Sequence, residues 1–121
     1  MSTLTVTNIK ATGETASRAV SGVAAAWAFY NTKTTTSIYD SMNVSSLTDD
    51  GTGITSINFS NNFINNYYAA SAIAADQAVS TAFCTDVYDR TSSVLDINTR
   101  NTSNAGIDCN RVSAAVHGDL A

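Results

Sequence analysis

The 121-residue chain has no proline, one histidine, two cysteines and one glutamate. Each scarcity excludes something. Without proline, no strand loses a ladder donor to a pyrrolidine ring. One histidine and two cysteines fall short of the four ligands of a structural zinc site. Charged residues make up 13% of the chain, about half the usual share. The six basic residues are scattered and the net charge is -4. A nucleic-acid binder needs a clustered basic face, so nucleic acid is not an expected partner. No apolar run approaches the ~20 residues of a membrane-spanning helix. The start, MSTLTVTNIK, lacks the charged opening and apolar core of a secretory signal. The expectation is synthesis in a cytoplasm without ordinary export.

What is present instead is a neutral polar surface. The chain carries 17 Thr, 15 Ser and 12 Asn, against 44% hydrophobic residues. β-Branched threonine favours strands and asparagine favours turns. The length is that of one domain with a modest core.

Residues 37–60, SIYDSMNVSSLTDDGTGITSINFS, read as strand, polar turn, strand. Asp50-Gly51 is a tight-turn signal because glycine reaches positive φ without steric cost. Before the turn, Val44, Ser46 and Thr48 point one way, with Ser45 and Leu47 opposite; after it, Ile57 and Phe59 share a face. Period-two alternation is what a half-buried antiparallel strand requires.

Similar alternation recurs along the chain. Residues 3–9 read as a short strand and 10–22 as a small-residue linker, with room for a helical turn or two from Thr15. Residues 23–31 put Ala25, Trp27 and Phe29 on one face, and Trp27 is expected in the core. Residues 61–66 form a loop plugged by Phe63 and Ile64. Residues 67–83 are alanine-rich and compatible with a helix. Their large side chains miss helical spacing, so strands at 67–75 and 79–88 are expected, with a turn at Asp76 and Gln77. Residues 92–100 and 111–118 alternate again around a loop at Gly106. About eight short strands at regular spacing predict an all-β fold, a single antiparallel β-sandwich at 23–121 preceded by an arm and linker at 1–22.

No catalytic set stands out. Asp86, Asp89, Asp96 and Asp108 read as turn and strand-face residues. Asp49-Asp50-Gly51 lacks the further acids and closing glutamate of a calcium loop. His117 has Ser113 and Cys109 nearby in sequence, but no nucleophile elbow and no third orienting group. Gly51 and Gly53 open no phosphate loop, since no lysine follows. Acceptor triplets for N-glycosylation begin at Asn43, Asn58 and Asn101 and carry no weight without a secretory signal. The reading is a non-enzymatic protein without a cofactor or metal. Cys84 and Cys109 are either two buried thiols or a disulfide between neighbouring strands. Asn65, Asn66, Tyr67 and Tyr68 are either a loop packed on the core or a sugar-contact face, since rings stack on sugars and amides hydrogen-bond to them.

AWAFYN, then SIYDSMNVSSLTDDGTGITSINFS, then DCNRVSAAVHGD together resemble a module of tailed-bacteriophage virion surface and tail-fibre proteins. That family runs roughly AWVNFNG, S-x-NVSS-[LI]-T-D-x-GTG-x-Y-x-VNF and a final strand ending in GD. MSTLTVTNI is similar to the MSTLKV-x-x-I start of many such proteins. The resemblance is best over residues 1–60, weakest over 61–105 and fair over 106–119. Tyr30 and Asn31 depart from the family's Asn-Phe-Asn-Gly run, and Ser56 from its aromatic or aliphatic strand residue. The resemblance implies a structural virion protein, a capsid decoration or a head or tail fibre, partnered by other virion proteins and released with the particle. It supplies no catalytic residue. The expected assembly arm carries Leu4, Val6 and Ile9, and a homotrimer is expected, since ring closure covers sandwich edges. The alternative is an adhesin module that binds host surface glycan.

Overall fold

The computed structural model describes residues 2–9, 18–19, 23–77 and 82–121. Among them there is no helix. The strands are β1 (Asn8–Ile9), β2 (Arg18–Ala19), β3 (Ala26–Asn31), β4 (Ser37–Met42), β5 (Val44–Gly51), β6 (Ile54–Phe59), β7 (Ala69–Ala75), β8 (Cys84–Arg90), β9 (Val94–Arg100) and β10 (Arg111–His117). Eight of them build two four-stranded antiparallel sheets, ordered β4-β3-β10-β7 and β5-β6-β9-β8. The protein is an all-β sandwich. The short β1–β2 pair stands apart as its own two-stranded ladder.

The core comes from the central strands, which are paired on both sides and buried on one face. Ala26, Ala28 and Tyr30 of β3 and Val112, Ala114 and Val116 of β10 face Ile57 and Phe59 of β6 and Leu95 and Ile97 of β9. Each aliphatic side chain fully buried there contributes roughly 1.5–3 kcal/mol. The β9 and β10 alternations place inside the residues their patterns assign there. In β3 the phase is inverted. Trp27 and Phe29 lie on the outer face, half-buried, while Tyr30 is 1% exposed. Trp27 is therefore not a core residue. Alternation separates two faces without saying which is inside, and small Ala26 and Ala28 suit the close-packed interior better than an indole would.

Residues 37–60 are not one hairpin. The chain leaves the first sheet after β4, turns at Asn43 with φ 57°, and enters the second sheet as β5. Asparagine tolerates this left-handed conformation. The Asn43 side chain then accepts bonds from the amide and side chain of Asn61 and donates to the Asn61 carbonyl, tying the crossing to the exit of β6. The β5–β6 hairpin beyond it matches the expected turn, and β5 is a sheet edge. A bulge between Val44 and Ser46 shifts the β5 phase, so Val44 and Leu47 both pack on the core while Ser45 and Ser46 are exposed.

The hairpin tip folds onto the 101–110 loop. The Gly53 amide donates to Asp108 Oδ1 at 2.7 Å and its carbonyl accepts the Thr99 amide at 2.7 Å. Gly53 has φ +77°, and a Cβ there would lie 2.4 Å from the Thr99 carbonyl oxygen. Only glycine fits both the conformation and the approach. Asp108 thus has a structural role that its sequence position does not announce.

The alanine-rich segment is a strand. β7 runs in unbroken register along β10 from Ala69↔His117 to Ala75↔Arg111. The turn at Asp76 and Gln77 comes next, and β8 begins at Cys84. Residues 78–81, including Val79, lie outside the described residues, as do 10–17 and 20–22 of the linker. Tyr68, Phe63 and Phe59 make an edge-to-face and tilted aromatic cluster with centroids 4.6–5.9 Å apart. Gly118 backs it so closely that a Cβ would meet the Tyr68 Cβ at 2.7 Å.

Candidate interaction surfaces

The N-terminal segment lies off both sheets. Leu4 is 85% exposed and Val6 40%. Regular strand is confined to Asn8–Ile9, paired with Arg18–Ala19, where a strand over 3–9 was expected. Of Ile9 only the backbone falls within the described residues. Residues 3–7 alternate polar and apolar side chains, as a strand does, yet pair with no strand among the described residues. An isolated two-residue ladder is too short to hold such a segment without further contacts.

The two outer sheet faces differ in chemistry. On β5-β6-β9-β8 the face is polar and acidic. Ser56 Oγ lies 2.5 Å from Asp50 Oδ2 and 2.7 Å from Asp96 Oδ1. Asn58 donates to Thr48 Oγ1 at 3.0 Å. Asp86 faces Arg100 Nε at 3.6 Å across the β8–β9 pair. These neighbours explain the acids as parts of a hydrogen-bonded strand face. Among the described residues no three His, Cys, Asp or Glu side chains cluster in a way that suits a metal ion.

On β4-β3-β10-β7 the face is apolar. The register sets Met42, Trp27, Ala115 and Ser71 in one row and Asp40, Phe29, Ser113 and Ile73 in the next. Ile73 is 70% exposed and Met42 41%. A shallow groove of about 400 Å³ runs between Trp27 and Ile73 over the Ala and Ser residues of β10. Beside it the Tyr39 ring packs tilted against Phe29, centroids 5.0 Å apart, and its hydroxyl donates to the Asn110 carbonyl. This face is not legible in the sequence, where the alternation of β3 reads with Trp27 inside.

His117 and Ser113 lie on this face, four residues apart on one strand, about 13 Å by strand rise. Cys109 is fully buried on the other side of the sheet. The three do not form a nucleophile–base pair.

The candidate sugar-contact residues divide. Tyr67 is 88% exposed and Asn65 and Asn66 are exposed, with Asn65 Oδ1 accepting the Tyr67 amide. Tyr68 is 3% exposed. Its hydroxyl bonds the carbonyls of Thr91 and Val94, each at 3.0 Å, and Arg90 donates to its carbonyl. Burial pushes the Tyr68 phenol up to about 12, with Arg90 opposing and Asp96 and Asp89 reinforcing the shift. Tyr68 is a packing residue, and of the aromatic pair only Tyr67 meets solvent.

The cysteines form no disulfide. Cys84 is an exposed free thiol on β8 and Cys109 a buried one before β10. Burial, with Asp76 and Asp108 adding and Lys33 opposing, pushes the Cys109 thiol up to about 11. Thr32 Oγ1 holds this turn by accepting the Cys109 amide and donating to its carbonyl. Lys33 pairs with the buried Asp76 carboxylate nearby.

No protein-family model, curated protein or solved structure matches this chain.

Proposed function

We propose that this protein is a non-enzymatic structural subunit of a tailed-phage virion, a capsid decoration or a head or tail fibre, that assembles as a trimer through its N-terminal arm. The observation that carries the assembly role is the arm itself. Leu4 and Val6 are exposed on a segment with strand-type alternation that pairs with no strand of its own sandwich. Pairing such a segment on a neighbour's sheet edge satisfies its backbone groups and buries its apolar side chains. The virion setting rests on the resemblance of AWAFYN, the NVSSLTDDGTG segment and the closing AAVHGD to phage virion modules.

The test is a Leu4→Asp/Val6→Asp double variant of the full chain, supplied to the phage in place of wild type. Antibody labelling of purified particles in negative stain reads incorporation. Loss of label with the sandwich still folded is expected. Equal labelling of variant and wild-type particles refutes the arm, and no label on wild-type particles refutes the virion role. A glycan-binding adhesin is the second reading, favoured by exposed Tyr67 beside Asn65 and Asn66. It predicts glycan-array binding that Tyr67→Ala abolishes.

A further inference from the structure

We infer that the apolar outer face of the β4-β3-β10-β7 sheet is the surface on which copies of this chain pack against one another. The inference deepens the assembly reading above and rests on it for the trimer, but not for the surface.

Four observations converge on a second copy as the occupant. First, Trp27, Phe29, Ile73 and Met42 share one side of a sheet whose other side already forms the core. An antiparallel sheet with one covered face normally presents polar residues on the other, and here it presents an indole, a phenyl ring and an aliphatic branch. Second, the groove floor is flat and made of small residues, Ser71, Ser113 and Ala115. It offers two hydroxyls where a small-ligand site needs several convergent polar groups, but it accepts a protruding side chain such as Ile73 of another copy. Third, the face carries one anion and one cation on different strands, Asp40 on β4 and Arg111 on β10. Both are exposed and neither takes part in an ion pair among the described residues. A face bearing both signs is complementary to the same face of a second copy, with Asp40 of one copy meeting Arg111 of the other. Fourth, the opposite outer face carries Asp50, Asp86 and Asp96, with Arg100 already opposite Asp86, and this excess of negative charge disfavours like-to-like contact in a chain of net charge -4.

The area sets the strength. Four strands spaced about 4.8 Å and about three side-chain rows give a face of roughly 400 Å². A stable interface buries about 800 Å² per partner. The face alone therefore supports weak association, and the exposed arm supplies the remaining contact. This division of labour is why both features belong to one assembly.

Sedimentation velocity of the full chain over a wide concentration range tests the inference. Wild type is expected to associate reversibly. Ile73→Asp puts a charge on the face at a position 70% exposed. It is expected to weaken association at least ~10-fold, equivalent to about 1.4 kcal/mol, with thermal stability unchanged. Asp40→Arg and Arg111→Asp each weaken association, and the double exchange restores it. Association that is indifferent to Ile73→Asp and to both charge reversals overturns the inference, as does a wild-type monomer at millimolar concentration. A dimer lost on Ile73→Asp keeps this surface and refutes the trimer. Association that survives Leu4→Asp/Val6→Asp but not Ile73→Asp likewise separates the face from the arm.

Discussion

Tyr67 and Tyr68 are neighbours in sequence with opposite expected responses to mutation, and the contrast separates packing from recognition. Tyr68 sits in the Phe59–Phe63 cluster with 3% exposure, and its hydroxyl reaches the Thr91 and Val94 carbonyls. Tyr68→Phe keeps the ring and removes that donor. The Val94 carbonyl retains the Thr91 amide, so the loss falls mainly on the Thr91 carbonyl. The expected cost is about 1–2 kcal/mol. Tyr68→Ala also empties the ring's place against Phe63 and Gly118 and should cost ~3–5 kcal/mol. Tyr67→Ala removes a ring 88% exposed and should stay within ~0.5 kcal/mol of wild type. Urea unfolding followed by tryptophan fluorescence gives all three values, and thermal melts should shift by roughly 4 °C per kcal/mol for a chain of this size. Wild-type stability in Tyr68→Phe, or a Tyr67→Ala penalty as large as that of Tyr68→Ala, would refute the assignment of Tyr68 to the core. The comparison also guards the binding test, because glycan binding lost in Tyr68→Ala reports unfolding, whereas loss in Tyr67→Ala reports contact.

Gly53→Ala should cost at least about 2 kcal/mol, since φ +77° is strained for alanine and its Cβ meets the Thr99 and Ile107 backbone at 2.4 and 2.7 Å; Gly51→Ala, which meets nothing within 4 Å, should cost less by the same denaturation assay. Tyr30→Phe should leave stability unchanged or raise it by about 1 kcal/mol, because the Tyr30 hydroxyl is buried without a hydrogen-bond partner among the described residues; a loss above ~1 kcal/mol in urea refutes this. Ellman's reagent should titrate Cys84 at once in native protein and Cys109 only after unfolding, and two fast thiols or none would contradict the structure. Stability should fall between pH 9 and 11. The Cys109 thiol is pushed from 9.0 to about 11 on folding, so in that window the folded state holds a proton that the unfolded state has released. The stabilisation is complete below pH 9 and lost as pH rises through 11, an effect of roughly 2–3 kcal/mol at most. Cys109→Ala should flatten the profile between pH 9 and 10 in a circular-dichroism melt series, while the fall above pH 10, to which the raised Tyr68 phenol also contributes, persists.

Much of the architecture was legible because strands encode themselves locally. Leu95, Ile97 and Thr99, and Val112, Ala114 and Val116, alternate cleanly on central strands and lie inside as their pattern requires. Where β-bulges or sheet crossings intervene, local pattern misleads. Asn43 splits one apparent strand between two sheets, and the Val44–Ser46 bulge shifts the phase of the rest of β5. Neither leaves a mark in hydrophobic periodicity. Tyr68 reads as one of a sugar-contact pair with Tyr67 because its partners, Phe59, Phe63 and the Thr91–Val94 turn, approach only after the chain has folded.

Local pattern was enough to make the chain all-β, since its short alternating runs and turn residues permit little else. It was enough, too, to predict a sandwich. Which side of each strand faces inward was settled only when the two sheets came together. Period two distinguishes two faces but does not rank them, and ranking depends on what the opposite sheet brings. The pairing of β3 with β10, distant in sequence, buries Ala26, Ala28 and Tyr30 and turns Trp27 outward. That single inversion creates the apolar face proposed to join one copy to the next.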